Sequence, residues 1–171
     1  MNSITSINNV VFLFFQNFAN SGLVGDIAYF FSYYIFYTLI FVGFVWAIFF
    51  SKEKMFNFAV LFSSLLSVTI IVNILKTFFE IPRPFLSLPI IPFLYESGFS
   101  FPSGHSAIAF ALAFSLYFLH KKLGVTFIIF AIIIAISRMI LGVHYPFDVL
   151  VGMIVGMMTS YFFVKLFNKT K

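Results

Sequence analysis

Three short stretches of this sequence place cationic, histidine and carboxylate side chains at distinctive spacings. They are KTFFEIPRP at 76–84, PSGH at 102–105 and SRMILGVHYPFD at 137–148. The stretches lie between long apolar runs, in a chain that is 62% hydrophobic and only 9% charged. An isolated charge near the core of a bilayer is costly, so ionisable residues in such places are usually functional.

The cationic residues of these stretches are suited to binding phosphate. Lys76, Arg83 and Arg138 provide three positive charges, and a guanidinium fork matches the oxygens of a phosphate group. Ser103 and Gly104 lie at a predicted helix start, where free N–H groups and the helix dipole favour an anion. These features predict an anion pocket.

The two histidines add reactive groups to this pocket. His105 and His144 can serve as nucleophile, base or acid near neutral pH. Asp148 follows His144 by four residues, so a helix that begins at Pro146 would turn the carboxylate back toward the imidazole. A carboxylate in that position fixes the tautomer and stabilises the charged ring. The combination favours phosphoryl transfer without a metal.

The same residues resemble a known family. Lys–six residues–Arg–Pro, Pro–Ser–Gly–His and Ser–Arg–five residues–His–three residues–Asp are similar to the three-part signature of the type 2 phosphatidic acid phosphatase (PAP2) superfamily. All three parts are complete and in the family's order, and the resemblance covers about residues 20–165. The size and layout are most similar to small bacterial members that dephosphorylate undecaprenyl diphosphate.

The resemblance implies a role for each residue. His144 would be the nucleophile and form a phosphohistidine, Asp148 would orient it, and His105 would protonate the leaving oxygen and then activate water. The phosphate would be held by Lys76, Arg83, Ser103, Gly104 and Arg138. The resemblance implies no metal and no other cofactor.

Composition predicts an integral membrane protein with one domain, residues 1–171. Spanning a bilayer takes about 20 mostly apolar residues, and several such runs are present in the 171 residues. The net charge of +5 is explained by lysines that flank membrane segments among lipid phosphates, so nucleic acid is not an expected partner. The chain contains no cysteine, which excludes disulfides and thiolate chemistry.

The apolar runs predict an all-α, polytopic helical bundle. Five spans are expected, at about 23–50, 55–79, 103–122, 123–142 and 146–167. Residues 4–18 have apolar side chains at helical spacing, which favours an amphipathic helix in the membrane interface. The proline-rich segment that follows the second span cannot be a continuous helix. Larger relatives of the family have six spans, so a six-span core is the alternative.

Alternating spans sort the basic residues onto two membrane faces. Seven lysines fall on one face: Lys52, Lys54, Lys121, Lys122, Lys165, Lys169 and Lys171. Lys76, Arg83 and Arg138 fall on the other. The positive-inside rule makes the lysine face cytoplasmic. We therefore expect a multi-pass protein of the cell (cytoplasmic) membrane with its active site on the extracytoplasmic face.

Five of the site residues also have a simpler structural interpretation. Lys76 could extend its ammonium group to the interface. Ser103 and Gly104 could only cap a helix. Arg138 and Asp148 could form a structural ion pair, which is common for charges within membranes.

Four other polar residues are given no part in the chemistry. His120 lies beside two lysines on the opposite face and is expected to be solvated. Asp26 and Glu96 lie on the catalytic face but match no motif, so a structural role is expected for both. Glu80 adjoins the basic cluster without a motif of its own.

The expected function is lipid phosphate hydrolysis, with undecaprenyl diphosphate converted to undecaprenyl phosphate as the leading reaction. Phosphatidate, phosphatidylglycerophosphate and a lipid A phosphate are alternative substrates, because the signature specifies the phosphate site and not the lipid tail. A lipid phosphotransferase is a second alternative. A non-enzymatic transporter or scaffold is a third, but transport would not need the set His105, His144 and Asp148. The expected partners are the lipid phosphate substrate and membrane lipids, and the oligomeric state is left open.

Overall fold

The structure, a computed structural model, describes residues 3–168 of the chain; Lys169 and Lys171 lie outside this range. The helices are α1 (Ser3–Asn17), α2 (Leu23–Phe50), α3 (Lys54–Phe79), α4 (Pro84–Ser87), α5 (Gly104–Leu119), α6 (Lys121–Ile140) and α7 (Pro146–Asn168). The described residues contain no β-strand. The prediction of an all-α membrane bundle is confirmed.

Four of the described helices are long and apolar enough to cross a membrane: α2, α3 with its extension to Ser87, α6 and α7. The remaining expected span, at 103–122, corresponds to α5, an apolar helix of 16 residues that is shorter than these four. Its predicted limits, 103–122, are close to the observed Gly104–Leu119. The chain is therefore a multi-pass membrane protein.

Helix α5 forms the centre of the bundle. It packs against α3, α6 and α7, and its small residues Ala107 and Ala111 are fully buried. On α7, Gly152 and Gly156 face it so closely that an added Cβ at Gly152 would lie 2.6 Å from the Ser103 carbonyl oxygen. Small residues at a helix interface permit this close approach in membranes. As a result, the first turn of α7 lies beside the first turn of α5.

Helix α2 lies at the edge of the bundle, with much of its apolar surface exposed. Its course includes two π-helical segments, Phe31–Ile35 and Trp46–Phe50. Such segments often occur near functional sites. The first one turns the buried Ser32 toward α6, where the hydroxyl accepts a hydrogen bond of 2.7 Å from Arg138 Nη1.

Helix α1 confirms the predicted amphipathic helix at 4–18. It packs against α6 and α7. Its fully buried Phe12 contacts Tyr145, with ring centroids 5.3 Å apart, and Gln16 donates a hydrogen bond of 3.2 Å to the Ile91 carbonyl oxygen. At 15 residues, α1 is shorter than the roughly 20 residues that a span requires.

The proline-rich segment between α3 and α5 is irregular, as predicted, apart from the four-residue α4. Helix α3 ends at Glu80, whose left-handed backbone (φ 49°) breaks the helix. The segment is tied to the bundle through hydrogen bonds from Ser100 N to the Ile81 carbonyl (2.8 Å) and from Phe93 N to the Leu141 carbonyl (3.1 Å). It therefore lies over one end of the bundle.

Candidate active site

The structure brings all eight predicted site residues to the same end of the bundle. Helix α3 and the segment after it contribute Lys76 and Arg83, the start of α5 contributes Ser103, Gly104 and His105, and the end of α6 and the start of α7 contribute Arg138, His144 and Asp148. The three sequence stretches thus converge in space.

His144 and Asp148 face each other across the first turn of α7. The distance between His144 Nδ1 and Asp148 Oδ2 is 3.6 Å, which is longer than a typical hydrogen bond. The backbone N–H of Tyr145 donates to the same carboxylate oxygen at 2.8 Å. With Nδ1 directed at the carboxylate, the other ring nitrogen, Nε2, is directed at Arg83 Nη1, 3.4 Å away.

The environment of His144 favours the neutral imidazole. The residue is 2% exposed. Burial, together with the positive charges of Arg138 and Arg83, lowers the pKa of His144 well below its usual 6.5. A neutral ring keeps a lone pair for nucleophilic attack.

Arg83 is held in place by backbone carbonyls. Its Nε donates to Gly98 (3.1 Å), its Nη2 to Ser97 (3.0 Å) and its Nη1 to Val143 (3.1 Å). Only 4% of Arg83 is exposed. These bonds fix the guanidinium group next to the Nε2 atom of His144.

Arg138 is almost completely buried and forms its ion pair with Glu96. The alternative interpretation, a structural pair between Arg138 and Asp148, is therefore not what the structure shows. Among the described residues, Arg138 Nε has no hydrogen-bond partner. A buried donor without a partner is unusual, and it supports the expectation of an anion in this region.

Glu96 joins the two arginines. Its Oε2 lies 3.0 Å from Arg83 Nη1, while its Oε1 contacts Arg138 Nη2. Burial on its own would raise the pKa of Glu96, but the charge and hydrogen bond of Arg138 and the charge of Arg83 outweigh it and lower the pKa to about 2. The group is therefore an ionised carboxylate between the two arginines.

Lys76 contacts the irregular segment between α3 and α5. Its ammonium group is partly buried and donates to the Phe99 carbonyl, with the Ser100 carbonyl 3.4 Å away. It holds the irregular segment against the end of α3, next to the basic cluster.

Ser103 is the N-cap of α5, as the simpler interpretation expected. Its hydroxyl accepts from the N–H of Ser106 at 3.4 Å. The backbone N–H of Ser103 donates a hydrogen bond of 3.0 Å to the Asp148 carbonyl oxygen. The N–H groups of Gly104 and His105 belong to the first turn, where no intrahelical acceptor exists. They are the backbone donors best placed for an anion.

The two remaining histidines lie at opposite ends of the bundle. His105 is half-buried on the first turn of α5, and its ring lies 4.5 Å from that of Phe36. His120 lies at the opposite end of the bundle and caps α6 by accepting a 3.3 Å hydrogen bond from Leu123 N. Its exclusion from the site agrees with this position.

Three residues in the site were missed by sequence reasoning. The sequence predicts only a structural role for Glu96, and the structure shows that it contacts two predicted phosphate ligands. Ser100 donates to Asp148, and Ser32 accepts from Arg138. The irregular segment and the distant π-helical turn show no sequence periodicity that could have indicated these contacts.

Within residues 3–168, no group of three or more His, Asp or Glu side chains has the arrangement of a metal site. Positive charge in the pocket is supplied by Lys76, Arg83 and Arg138.

Several known proteins are similar to part of this chain. A protein named bacitracin transport permease protein BcrC, from Bacillus licheniformis, is 38% identical over 47% of this chain and 40% of its own length. Undecaprenyl-diphosphatase BcrC from Bacillus subtilis is 32% identical over 56% of this chain and 51% of its own. Phosphatidylglycerophosphatase B from the same species is 39% identical over 57% of this chain and 51% of its own length. The matches thus span about half of these relatives or less.

The fold matches over nearly the whole chain. The crystal structure of LpxE from Aquifex aeolicus superposes with a TM-score of 0.73 and 27% identity, covering 93% of this chain and 95% of that one. Residues 57–171, which include every predicted site residue, match the PAP2 superfamily. This chain therefore belongs to the PAP2 superfamily.

Proposed function

We propose that this protein is a lipid phosphatase that uses His144 as its nucleophile. The observation that carries the proposal is the orientation of this ring: Nδ1 faces Asp148, Nε2 faces Arg83 and the whole side chain is buried. A neutral imidazole with a carboxylate behind it and a guanidinium beside its free nitrogen is arranged to attack a phosphorus atom.

The first step forms a covalent intermediate. Nε2 of His144 attacks the terminal phosphorus, a P–N bond forms and the P–O bond to the leaving group breaks. The leaving oxygen takes a proton from His105, which is then neutral. Asp148 stabilises the positive charge on the ring of His144.

The second step regenerates the enzyme. The neutral His105 takes a proton from water, and the resulting hydroxide attacks the phosphohistidine. The P–N bond breaks, and orthophosphate and the neutral ring of His144 are released. In both steps negative charge on the phosphoryl oxygens is stabilised by donors from Lys76, Arg83, Arg138 and the start of α5, with Ser103 and Gly104 shaping that start.

The proposed substrate is undecaprenyl diphosphate. Similarity to a relative named undecaprenyl-diphosphatase supports it. Phosphatidylglycerophosphate is the alternative that a second relative supports. The active site is proposed to face the extracytoplasmic side of the cell membrane, because the opposite end of the bundle has the greater share of lysines.

Transport and phosphotransfer are the competing activities. One relative is named a transport permease, but transport requires no nucleophile, and the pairing of His144 with Asp148 would then have no use. A phosphotransferase would pass the phosphoryl group from His144 to an alcohol instead of water.

Phosphate release by the full chain in detergent micelles tests the proposal. Undecaprenyl diphosphate, phosphatidylglycerophosphate and phosphatidate are compared, each with and without an alcohol acceptor and with and without a chelator. We expect release from undecaprenyl diphosphate to be fastest, unaffected by chelator and absent in His144→Ala. No release from any of the three substrates, or full activity in His144→Ala, would contradict the proposal.

A further inference from the structure

Glu96 has the position of an anion ligand and not that of a peripheral brace. Its two oxygens contact Arg83 and Arg138 separately, one each. A phosphate bound between two guanidinium groups makes contacts of the same kind. Arg83 Nη1, which contacts Glu96, is also the atom next to Nε2 of His144. The carboxylate therefore occupies a donor, Arg83 Nη1, that lies beside the attacking nitrogen and that a phosphoryl group there would also use.

The charges explain why a carboxylate would be there. Arg83 and Arg138 have side chains that are 5% and 1% exposed, and two buried cations without an anion would repel each other and be poorly solvated. Glu96 is ionised, since its pKa is lowered to about 2. It supplies the counter-charge from within the chain.

Of the three side chains Arg83, Glu96 and Arg138, Glu96 is the one that can move away from its partners. Its side chain is 25% exposed, in contrast to both arginines. Arg83 is held independently by the carbonyls of Ser97 and Gly98, and Arg138 keeps its bond to Ser32. A rotation of the Glu96 side chain would free one donor face of each arginine without moving either.

From these relationships we propose that Glu96 is an internal competitor for the phosphate site. Its carboxylate neutralises Arg83 and Arg138 while the site holds no substrate, and the substrate's phosphate displaces it. The inference rests on the proposed phosphate-binding role of the two arginines. Its consequence is a threshold: an anion enters only when it binds the arginine pair more strongly than Glu96 does.

In the competing role, Glu96 is a brace that holds the arginines in position. This role predicts the opposite change in phosphate affinity when the charge of Glu96 is removed. If Glu96 is displaced by phosphate, removing its charge removes the competition and tightens phosphate binding. If Glu96 positions the arginines, removing its charge lets them separate and weakens binding. The direction of the change in affinity therefore distinguishes the two roles.

The experiment measures binding of inorganic orthophosphate to the full chain in detergent by isothermal titration calorimetry. Glu96→Gln is compared with the unmodified protein and with Glu80→Gln. The control removes one negative charge from the exposed end of α3, where Glu80 contacts neither arginine in the structure. We expect the dissociation constant to fall at least about tenfold in Glu96→Gln and to stay unchanged in Glu80→Gln.

Each other outcome counts against the inference. Unchanged or weaker binding in Glu96→Gln would overturn it and leave Glu96 as a brace. Equal tightening in both variants would overturn it as well, since the effect would then be general electrostatics. If the unmodified protein hydrolyses lipid phosphates while Glu96→Gln binds orthophosphate no more tightly, this inference fails and the proposed function stands.

A second variant guards against misfolding. Glu96→Asp keeps the charge but is one methylene shorter, so it cannot contact both arginines as Glu96 does, and intermediate tightening is expected. Folding of both variants is checked by circular dichroism. If both variants are unfolded and added orthophosphate does not restore their folding, the inference is also overturned. A carboxylate that substrate displaces cannot be one on which the fold depends.

Discussion

The side-chain hydroxyl of Ser100 donates a hydrogen bond to the carboxylate of Asp148 from 48 residues earlier in the chain. The bond ends on Oδ2, the same oxygen that faces Nδ1 of His144. Ser100 is fully buried. Its hydroxyl also lies 3.4 Å from Nδ1 of His144. Ser100 thus contacts the carboxylate and the side of the ring that faces it, and not the attacking Nε2, so we regard it as a positioning residue.

Ser100→Ala should lower kcat about tenfold and leave KM nearly unchanged, because the loss of a hydrogen bond to a charged group lets the carboxylate shift. Ser100→Thr should recover most of the rate. Steady-state kinetics with the best lipid substrate checks this. Ser97→Ala is the matched control, since Arg83 uses only its backbone carbonyl. A raised KM at constant kcat would show that Ser100 acts on binding and not on Asp148.

Substitution of the two histidines should impair activity in different ways. His144→Ala is expected to lose both turnover and the covalent intermediate. His105→Ala should lose activity on lipid phosphates but keep part of it on p-nitrophenyl phosphate, whose leaving group needs no proton. A phosphate-labelled substrate should then leave acid-labile label on His144 in the His105→Ala protein. Label on His105 would reverse the assigned roles.

The pH profile should report the lowered pKa of His144. The reactive ring must be neutral, and its pKa is well below 6.5, so activity should persist to pH values below 6.5. The clean measurement is kcat/KM for p-nitrophenyl phosphate with His105→Ala, because the second histidine no longer contributes. A midpoint of the acid limb at or above 6.5 would contradict the lowered pKa.

The orientation in the membrane can be tested with single cysteines, since the chain has none. A cysteine at Ser87 should be labelled by an impermeant thiol reagent from outside intact cells. A cysteine at Lys122, exposed at the start of α6, should be labelled only after the membrane is opened. The reverse pattern would place the active site on the cytoplasmic face.

Close packing of α5 and α7 should depend on Gly156. A Cβ there would collide with the Ala107 carbonyl oxygen and lie 2.8 Å from Ala111 N, so Gly156→Ala should destabilise the protein by about 1–3 kcal/mol. Thermal unfolding in detergent measures the loss. Ile154→Ala, at a half-exposed site on the same helix, should change the melting temperature much less, and an equal loss in both variants would remove the packing explanation.

The sequence predicted the helices well because each carries a strong signal. A run of 20 or more apolar residues has few alternatives to a membrane helix, so the observed limits of α3, α6 and α7 lie within a few residues of the predicted ones. The eight residues predicted for the site share fixed spacings, and the structure brings them to one end of the bundle.

Glu96 and Ser100 could not be found in this way. Both lie in the irregular segment before α5, where no period relates sequence position to direction in space. Their contacts depend on how that segment crosses the end of the bundle, and the crossing is set by hydrogen bonds such as Phe93 N to the Leu141 carbonyl. Such tertiary contacts leave no pattern in a single sequence.

The shortness of α5 has a consequence for where the reaction occurs. With 16 residues it is about 24 Å long, whereas the hydrocarbon layer is about 30 Å thick. If His120 marks one water boundary, then Ser103 at the other end of α5 is about 6 Å short of the opposite one. The phosphate group of the proposed lipid substrate would therefore move a few ångströms toward the bilayer centre to react, about the 6 Å offset. The lipid tail would stay in the bilayer, so no free energy would be needed to transfer it into water.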